Sequence, residues 1–300
     1  MKTKTKSKLG APQSASLFML APWGILFIVF MLIPVIAAFL LSFTYFDMLN
    51  FPSFSGFDNY IRVLLDDDIF TISLKNTLVI AVITGPVGYL ASFVIAWCIN
   101  EFNRGWRSLL TLCFYAPSLS GNVYIIWTYL FSGDSYGLIN SMLIKYGFIS
   151  SPIQFLTDAK YTMMVVIIVI LWQSTGTGFL TFVAGLQGLN PELSEAGAID
   201  GIRNRWQELI YITLPQMKPQ LLLGAVFTIS GSFACGGVNA ALTGNPSPDY
   251  STHTLLLHMN DYAFTRFEMG YACAIAIVMF IMMLIYWFVV NKVLARWNTD

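Results

Sequence analysis

The chain is organised by long apolar runs without charge. Six of them, Leu17–Phe43, Thr77–Trp97, Leu109–Phe131, Met163–Leu186, Leu221–Leu242 and Met269–Val290, contain no Asp, Glu, Lys or Arg. About 20 such residues suffice to cross a bilayer as a helix, so the pattern predicts six membrane-spanning helices and an all-α integral membrane protein. The first run exceeds the ~7–15 apolar residues of a secretory signal and reads as a retained first helix. Pro34, Pro86 and Pro117 fall inside spans. Such breaks are tolerated where neighbouring helices or a cavity satisfy the freed backbone groups. The stretch Pro117-Ser118-Leu119-Ser120-Gly121-Asn122 is the strongest interruption and predicts a bent or locally unwound third helix.

Composition agrees with the bilayer as solvent: 56% of residues are hydrophobic and only 11% charged, against about 25% charged in a soluble domain. The formal net charge is zero, which gives no basic excess for nucleic acid. Lys and Arg favour cytoplasmic flanks. With the N-terminus inside, Lys2, Lys4, Lys6, Lys8, Arg104, Arg107, Arg203, Arg205, Lys218, Lys292 and Arg296 lie inside, and only Arg62, Lys75, Lys145, Lys160 and Arg266 outside. Both termini are therefore expected in the cytoplasm. The expected organisation is a cytoplasmic tail over 1–16, a first helix over 17–43, and a five-helix core over 72–292 with a cytoplasmic loop at 190–215. The outer segment Thr44–Asn76 is rich in aromatics (Tyr45, Phe46, Phe51, Phe54, Phe57, Tyr60) suited to the membrane interface.

Chemistry-bearing clusters are few. Cys98, Cys113, Cys235 and Cys273 form no C-x-x-C pair, so zinc and redox readings fail. Asp66-Asp67-Asp68 reads as a solvated loop or helix cap, since no second carboxylate cluster or glycine turn accompanies it. His253 and His258 lie in the outer loop before the sixth span and have no metal-ligand spacing. No catalytic residue, cofactor or metal is expected.

The loop between the fourth and fifth spans carries more information. Asn190 suits a helix N-cap and Pro191 the first helical position, Glu192 complements the helix dipole, and Gly201 can end the helix in a left-handed conformation. A second helix over Asn204–Ile212 would follow, running to Leu214-Pro215. Ala196, Gly197 and Ala198 are expected on an exposed face where small residues let another backbone approach, with Glu195 and Asp200 free to pair with cations there. An ordinary amphipathic connector would have the same outline.

Glu195-Ala196-Gly197, Asp200-Gly201 and Ile212-Thr213-Leu214-Pro215 resemble the E-A-A, G, I-x-L-P loop of ABC importer permeases, with matching spacing. Gly197 stands where the family has alanine; it keeps the small size but costs the helix about 0.8–1 kcal/mol. Phe57-Asp58-Asn59-Tyr60, Asn76-Thr77-Leu78, Tyr115-Ala116-Pro117, Gly137-Leu138-Ile139-Asn140 and Leu242-Thr243-Gly244 look like the carbohydrate branch, nearest its maltose-type and glycerol-phosphate-type first membrane subunits. The resemblance implies the type I importer fold, a second homologous permease, two ATP-binding cassette subunits gripping the loop, and an extracellular solute-binding protein. The chain has no G-x-x-x-x-G-K-[ST] phosphate cradle, so ATP chemistry would lie in another subunit. The resemblance marks Glu195, Ala196, Gly197, Asp200, Gly201, Leu214 and Pro215 as the ATPase-coupling loop.

Polar side chains inside spans are costly and often functional. Thr228, Ser232, Cys235 and Asn239 recur at helical spacing on the fifth span, and Ser174, Thr177 and Thr181 on the fourth. Ser118, Ser120 and Asn122 sit at the break in the third. A sugar path needs hydroxyl and amide partners with aromatic faces, which Tyr124, Trp127 and Trp172 could supply; helix packing would use Ser and Thr equally well. Positions matching the sugar contacts of maltose-type permeases are Ser118, Gln173, Ser174, Thr228, Ser232 and Cys235. No cation lies within a span, which favours a neutral oligosaccharide. An ion-coupled secondary transporter is the alternative, but such proteins use intramembrane carboxylates or histidines, and the six spans have none.

Overall fold

The computed structural model describes residues 13–119 and 123–296. The expected N-terminal lysines and the positions Ser120 and Asn122 lie outside the described residues. Helix α1, Phe18–Leu41, is apolar all round, and none of it is buried within the chain. Its Ile33–Leu41 half packs on the last helix. A small ladder follows, β1 (Thr44–Tyr45) against β2 (Ser53–Phe54), with Asp47 accepting from the Leu49 and Asn50 amides at its tip.

The core is then helical. Helix α2 spans Asp68–Asn100, α3 Arg104–Leu119 and α4 Tyr124–Leu130. They are followed by α5 (Leu138–Lys145), α6 (Ala159–Gln173), α7 (Thr177–Gln187) and α8 (Pro191–Ile199). Next come α9 (Arg205–Glu208), α10 (Lys218–Phe233), α11 (Gly236–Thr243), α12 (Leu255–Asn260) and α13 (Met269–Arg296). Among the described residues five stretches are long and apolar enough to cross a membrane, and α3 with α4 makes a sixth if the two form one crossing. Pro117 lies within α3, so the third helix continues past the proline to Leu119.

Two expected continuous spans are interrupted. The fourth breaks at Ser174–Gly176, between α6 and α7. The freed carbonyls and hydroxyls there are taken up locally: Ser92 Oγ donates to the Ser174 carbonyl (3.2 Å) and Thr175 Oγ1 to that of Phe114 (2.7 Å). The fifth breaks at Ala234–Cys235. The apolar run continues through both sites, so hydropathy alone is blind to them. By contrast α2 is one element of 33 residues, with Pro86 inside it. It begins nine positions before Thr77, because Asp67 caps it by accepting from the Phe70 amide at 2.9 Å.

Wide π turns at Ile28–Leu32 and Leu209–Thr213 each end two residues before a proline, Pro34 and Pro215. Proline cannot donate the next helical hydrogen bond, and a local widening of the turn lets the chain run into it.

Helices α2, α7 and α10 pack on one another as the centre of the bundle. At one end, which carries α8 and α9, Phe93, Ala96, Ile99, Phe182, Leu186, Leu209 and Met217 form a buried cluster. At the other end the loops after β2 and α11 meet. Asn76 donates to the carbonyls of Tyr250 and His253, and Asn239 to that of Thr252. His258 Nε2 donates to Asp67 at 2.9 Å and Tyr271 donates to the same oxygen at 2.7 Å. Asp67 is thus a half-buried helix cap rather than part of a solvated acidic loop. Burial alone would raise its carboxyl, but the hydrogen bonds from His258 and Tyr271 outweigh it and hold the group well below the usual carboxylate range. Arg62 pairs with Glu268 and lies 4.3 Å from the Tyr271 ring centre.

Candidate functional site

The loop at the α8–α9 end has the shape its residues dictate. Asn190 Oδ1 accepts from the Glu192 amide at 3.1 Å, and Pro191 opens α8. Gly201 ends the segment at φ +98°, a conformation that costs a residue with a Cβ. Asn204 Oδ1 caps α9 by accepting from the Gln207 amide at 2.8 Å, and Gln207 in turn accepts from the Arg203 amide at 3.0 Å. Glu195, Ala196, Ala198 and Asp200 are exposed. Gly197 is not: it is buried, and a Cβ there would collide with Ile212 Cδ1 and lie 3.0 Å from Ile202 Cδ1. Its small size serves contact with α9's continuation rather than an exposed face. The outer surface of the loop presents Leu193 and Ile199, the latter 87% exposed. Leu214 and Pro215 follow the wide turn and lead through Met217 into α10.

The second candidate lies mid-bundle. A cavity of about 400 Å³ is lined by all six path positions, Ser118, Gln173, Ser174, Thr228, Ser232 and Cys235, joined by Thr84, Tyr115, Tyr124, Thr177, Phe227 and several glycines. Its volume falls in the range of about 300–1,000 Å³ usual for small-molecule pockets. The breaks at Ser174–Gly176 and Ala234–Cys235 open directly onto it, so irregular backbone occurs where a cavity is lined, as a bilayer requires. Tyr124 and Gln173 hydrogen-bond across it at 2.9–3.0 Å. Ser118, Ser174, Thr228 and Ser232 donate to carbonyls within their own helices, which leaves their oxygen lone pairs to accept. No charged side chain lines the cavity among the described residues.

Some expectations are corrected here. Trp127 and Trp172 pack edge to face, 5.3 Å apart, away from the cavity. Asn239 is buried against Thr252, and Thr181 donates to the Thr177 carbonyl outside the lining set. The helical stripes drawn through these residues assumed unbroken spans. Thr84 carries no expectation from the sequence, and Tyr115 enters only through the family-like stretch Tyr115-Ala116-Pro117; the signal available was a hydroxyl two residues before Pro86 and a tyrosine two residues before Pro117.

The model of the binding-protein-dependent transport system inner membrane component matches residues 88–298. This chain belongs to that family. It is therefore a membrane-embedded permease component and not an enzyme, and the ion-coupled alternative falls away. The chain is 30% identical over 267 residues to the lactose transport system permease protein LacF of Rhizobium radiobacter, covering 87% of this chain and 88% of that one. It is 31% identical over 267 residues to the arabinooligosaccharides transport system permease protein AraP of Bacillus subtilis, covering 88% and 83%. The fold matches a chain from the crystal structure of a bacterial ABC transporter that imports the acidic polysaccharide alginate, with TM-score 0.75, 23% identity, and coverage of 96% and 97%.

Proposed function

We propose that this permease forms one half of the translocation path of an ATP-driven importer for a neutral oligosaccharide, and that its 190–215 loop is gripped by a separate ATPase. The observation that carries the reading is the convergence of Ser118, Gln173, Ser174, Thr228, Ser232 and Cys235 on one uncharged cavity. Hydroxyl and amide groups match sugar hydroxyls, and an anionic substrate would find no counter-charge among the described residues that line the cavity. Relatives named for lactose and arabinooligosaccharide transport support a sugar as the substrate.

The loop supports the coupling role. It is capped at both helices, folded back on itself through Gly197 and Ile212, and exposes Glu195, Ala196, Asp200, Leu193 and Ile199 on its outer side. Two ATP-binding cassette subunits would dock against this face, a second permease of similar fold would close the path, and a solute-binding protein would deliver substrate at the Asp67–His258 end. That assignment puts both termini in the cytoplasm, in agreement with the distribution of Lys and Arg. Multi-pass insertion brings lipid contact along α1, whose apolar side chains stay uncovered.

The test is reconstitution of the full complex with its binding protein in proteoliposomes. ATP-dependent accumulation of a neutral oligosaccharide is expected. Accumulation that needs an ion gradient instead of ATP would overturn the coupling reading, and exclusive transport of an anion would overturn the substrate class.

A further inference from the structure

The covalent route from the loop into the bundle leads to α10, but that route is jointed. The chain leaves helical geometry at Met217 and again at Ala234–Cys235. The span of α6 and α7 is broken at Ser174–Gly176. Among the described residues that line the cavity, only Thr84, of α2, belongs to a helix that runs without a break from one end of the bundle to the other.

The loop also touches α2 directly. Trp206 packs on Trp97 of α2 with ring centres 5.3 Å apart. Arg205 Nη2 lies 2.8 Å from Glu101 Oε2, at the C-cap of α2. Leu209 is buried in the cluster that holds Phe93, Ala96 and Ile99, all on one face of α2. Two further contacts fix the parts that would move together. Gly197 seats α8 against Ile212 in the same turn as Leu209. Arg107 clamps the end of α2 by donating to the carbonyls of Asn100 and Phe102. From that end α2 passes the cavity at Thr84 and reaches Asn76, which holds the Tyr250 and His253 carbonyls.

We propose that movement of the loop enters the membrane domain through α2, at the Trp97–Trp206 contact, and is carried by that helix to the cavity and to the far loops. Trp97 and Trp206 are then positioning residues for transport: neither lines the cavity, and they act by keeping loop and helix in step. The exposed Arg205–Glu101 pair sets the register of the contact and, being solvent-screened, contributes little strength. The inference rests on the docking reading of the 190–215 loop.

The test is a double-mutant cycle in the reconstituted complex, with sugar transported per ATP hydrolysed as the readout. Trp97→Ala and Trp206→Ala should each lower that ratio about fivefold while ATP hydrolysis and assembly with the ATPase persist. The double variant should lose no more than either single one, and Trp206→Phe, which keeps a ring, should recover most of the ratio. Should an alanine variant fail to assemble, Trp97→Leu and Trp206→Leu run the same cycle. An unchanged ratio, or losses that multiply in the double variant, would overturn the α2 route and leave the docking reading intact. A wild-type complex whose loop can be deleted without loss of ATPase binding would overturn the docking reading, and this inference with it.

Discussion

Asp67 and His258, 191 positions apart, meet at 2.9 Å and join the cap of α2 to α12. One carboxylate therefore serves as N-cap, partner of a buried histidine, and acceptor for Tyr271. Asp67→Ala removes a cap, worth about 1 kcal/mol, and strands buried donors, at about 1–3 kcal/mol. A loss of roughly 2–4 kcal/mol is expected, read as a lowered unfolding midpoint in detergent. Asp67→Asn keeps the cap and should lose less. Equal midpoints for wild type and Asp67→Ala would refute the assignment.

The same end should be sensitive to mild acid. Burial, with help from neighbouring His258, pushes His253 down to about 4 from its ordinary 6.5, while Asp261 and Asp67 pull weakly the other way. Between those values the unfolded chain binds a proton that the folded chain refuses, so acidification favours unfolding. Stability should fall as pH drops from about 6.5 toward 4, and His253→Gln should flatten that slope. Asp67 stays ionised throughout this window; its contribution is lost only below the ordinary carboxylate range, where its own proton binds. Midpoints measured against pH for both proteins check this.

Gly201 tests the loop's turn. At φ +98° with open space around it, a side chain there meets no obstacle but strains the backbone by about 1–3 kcal/mol. Gly201→Val should abolish most ATP-driven uptake while membrane insertion persists. Wild-type uptake by this variant would remove the turn from the coupling mechanism.

Gln173→Ala probes the cavity. It breaks the pair with Tyr124 and removes the one amide side chain lining the cavity among the described residues. Uptake should need several-fold more substrate-loaded binding protein for half-maximal rate, with basal ATP hydrolysis unchanged. A change confined to ATP hydrolysis would place Gln173 in packing alone.

The sequence made the loop legible because its signals are local. Asn190, Pro191, Gly201 and Asn204 act within a few residues of where they stand, and each occupies the position its chemistry suggests. Gly197 reads from the sequence as an exposed small residue, but the atom that a Cβ there would meet belongs to Ile212, fifteen positions on. The Asp67–His258 contact was hidden for the same reason on a larger scale. In the bundle, apolar runs marked the spans well but not their breaks. Ser174 and Thr175 satisfy or are satisfied by neighbours on α2 and α3, and no local feature of the run announces this.

The unbroken length of α2 has a geometric consequence. Its 33 residues extend about 50 Å at 1.5 Å per residue, well beyond a hydrocarbon layer of about 30 Å. Such a helix must tilt or project at both faces. Pivoted near its middle, beside Pro86, a tilt of only about 5° would displace each end by roughly 2 Å in opposite directions. A small push on Trp97 would then be felt at Asn76 with its sign reversed, narrowing one mouth of the path as the other widens.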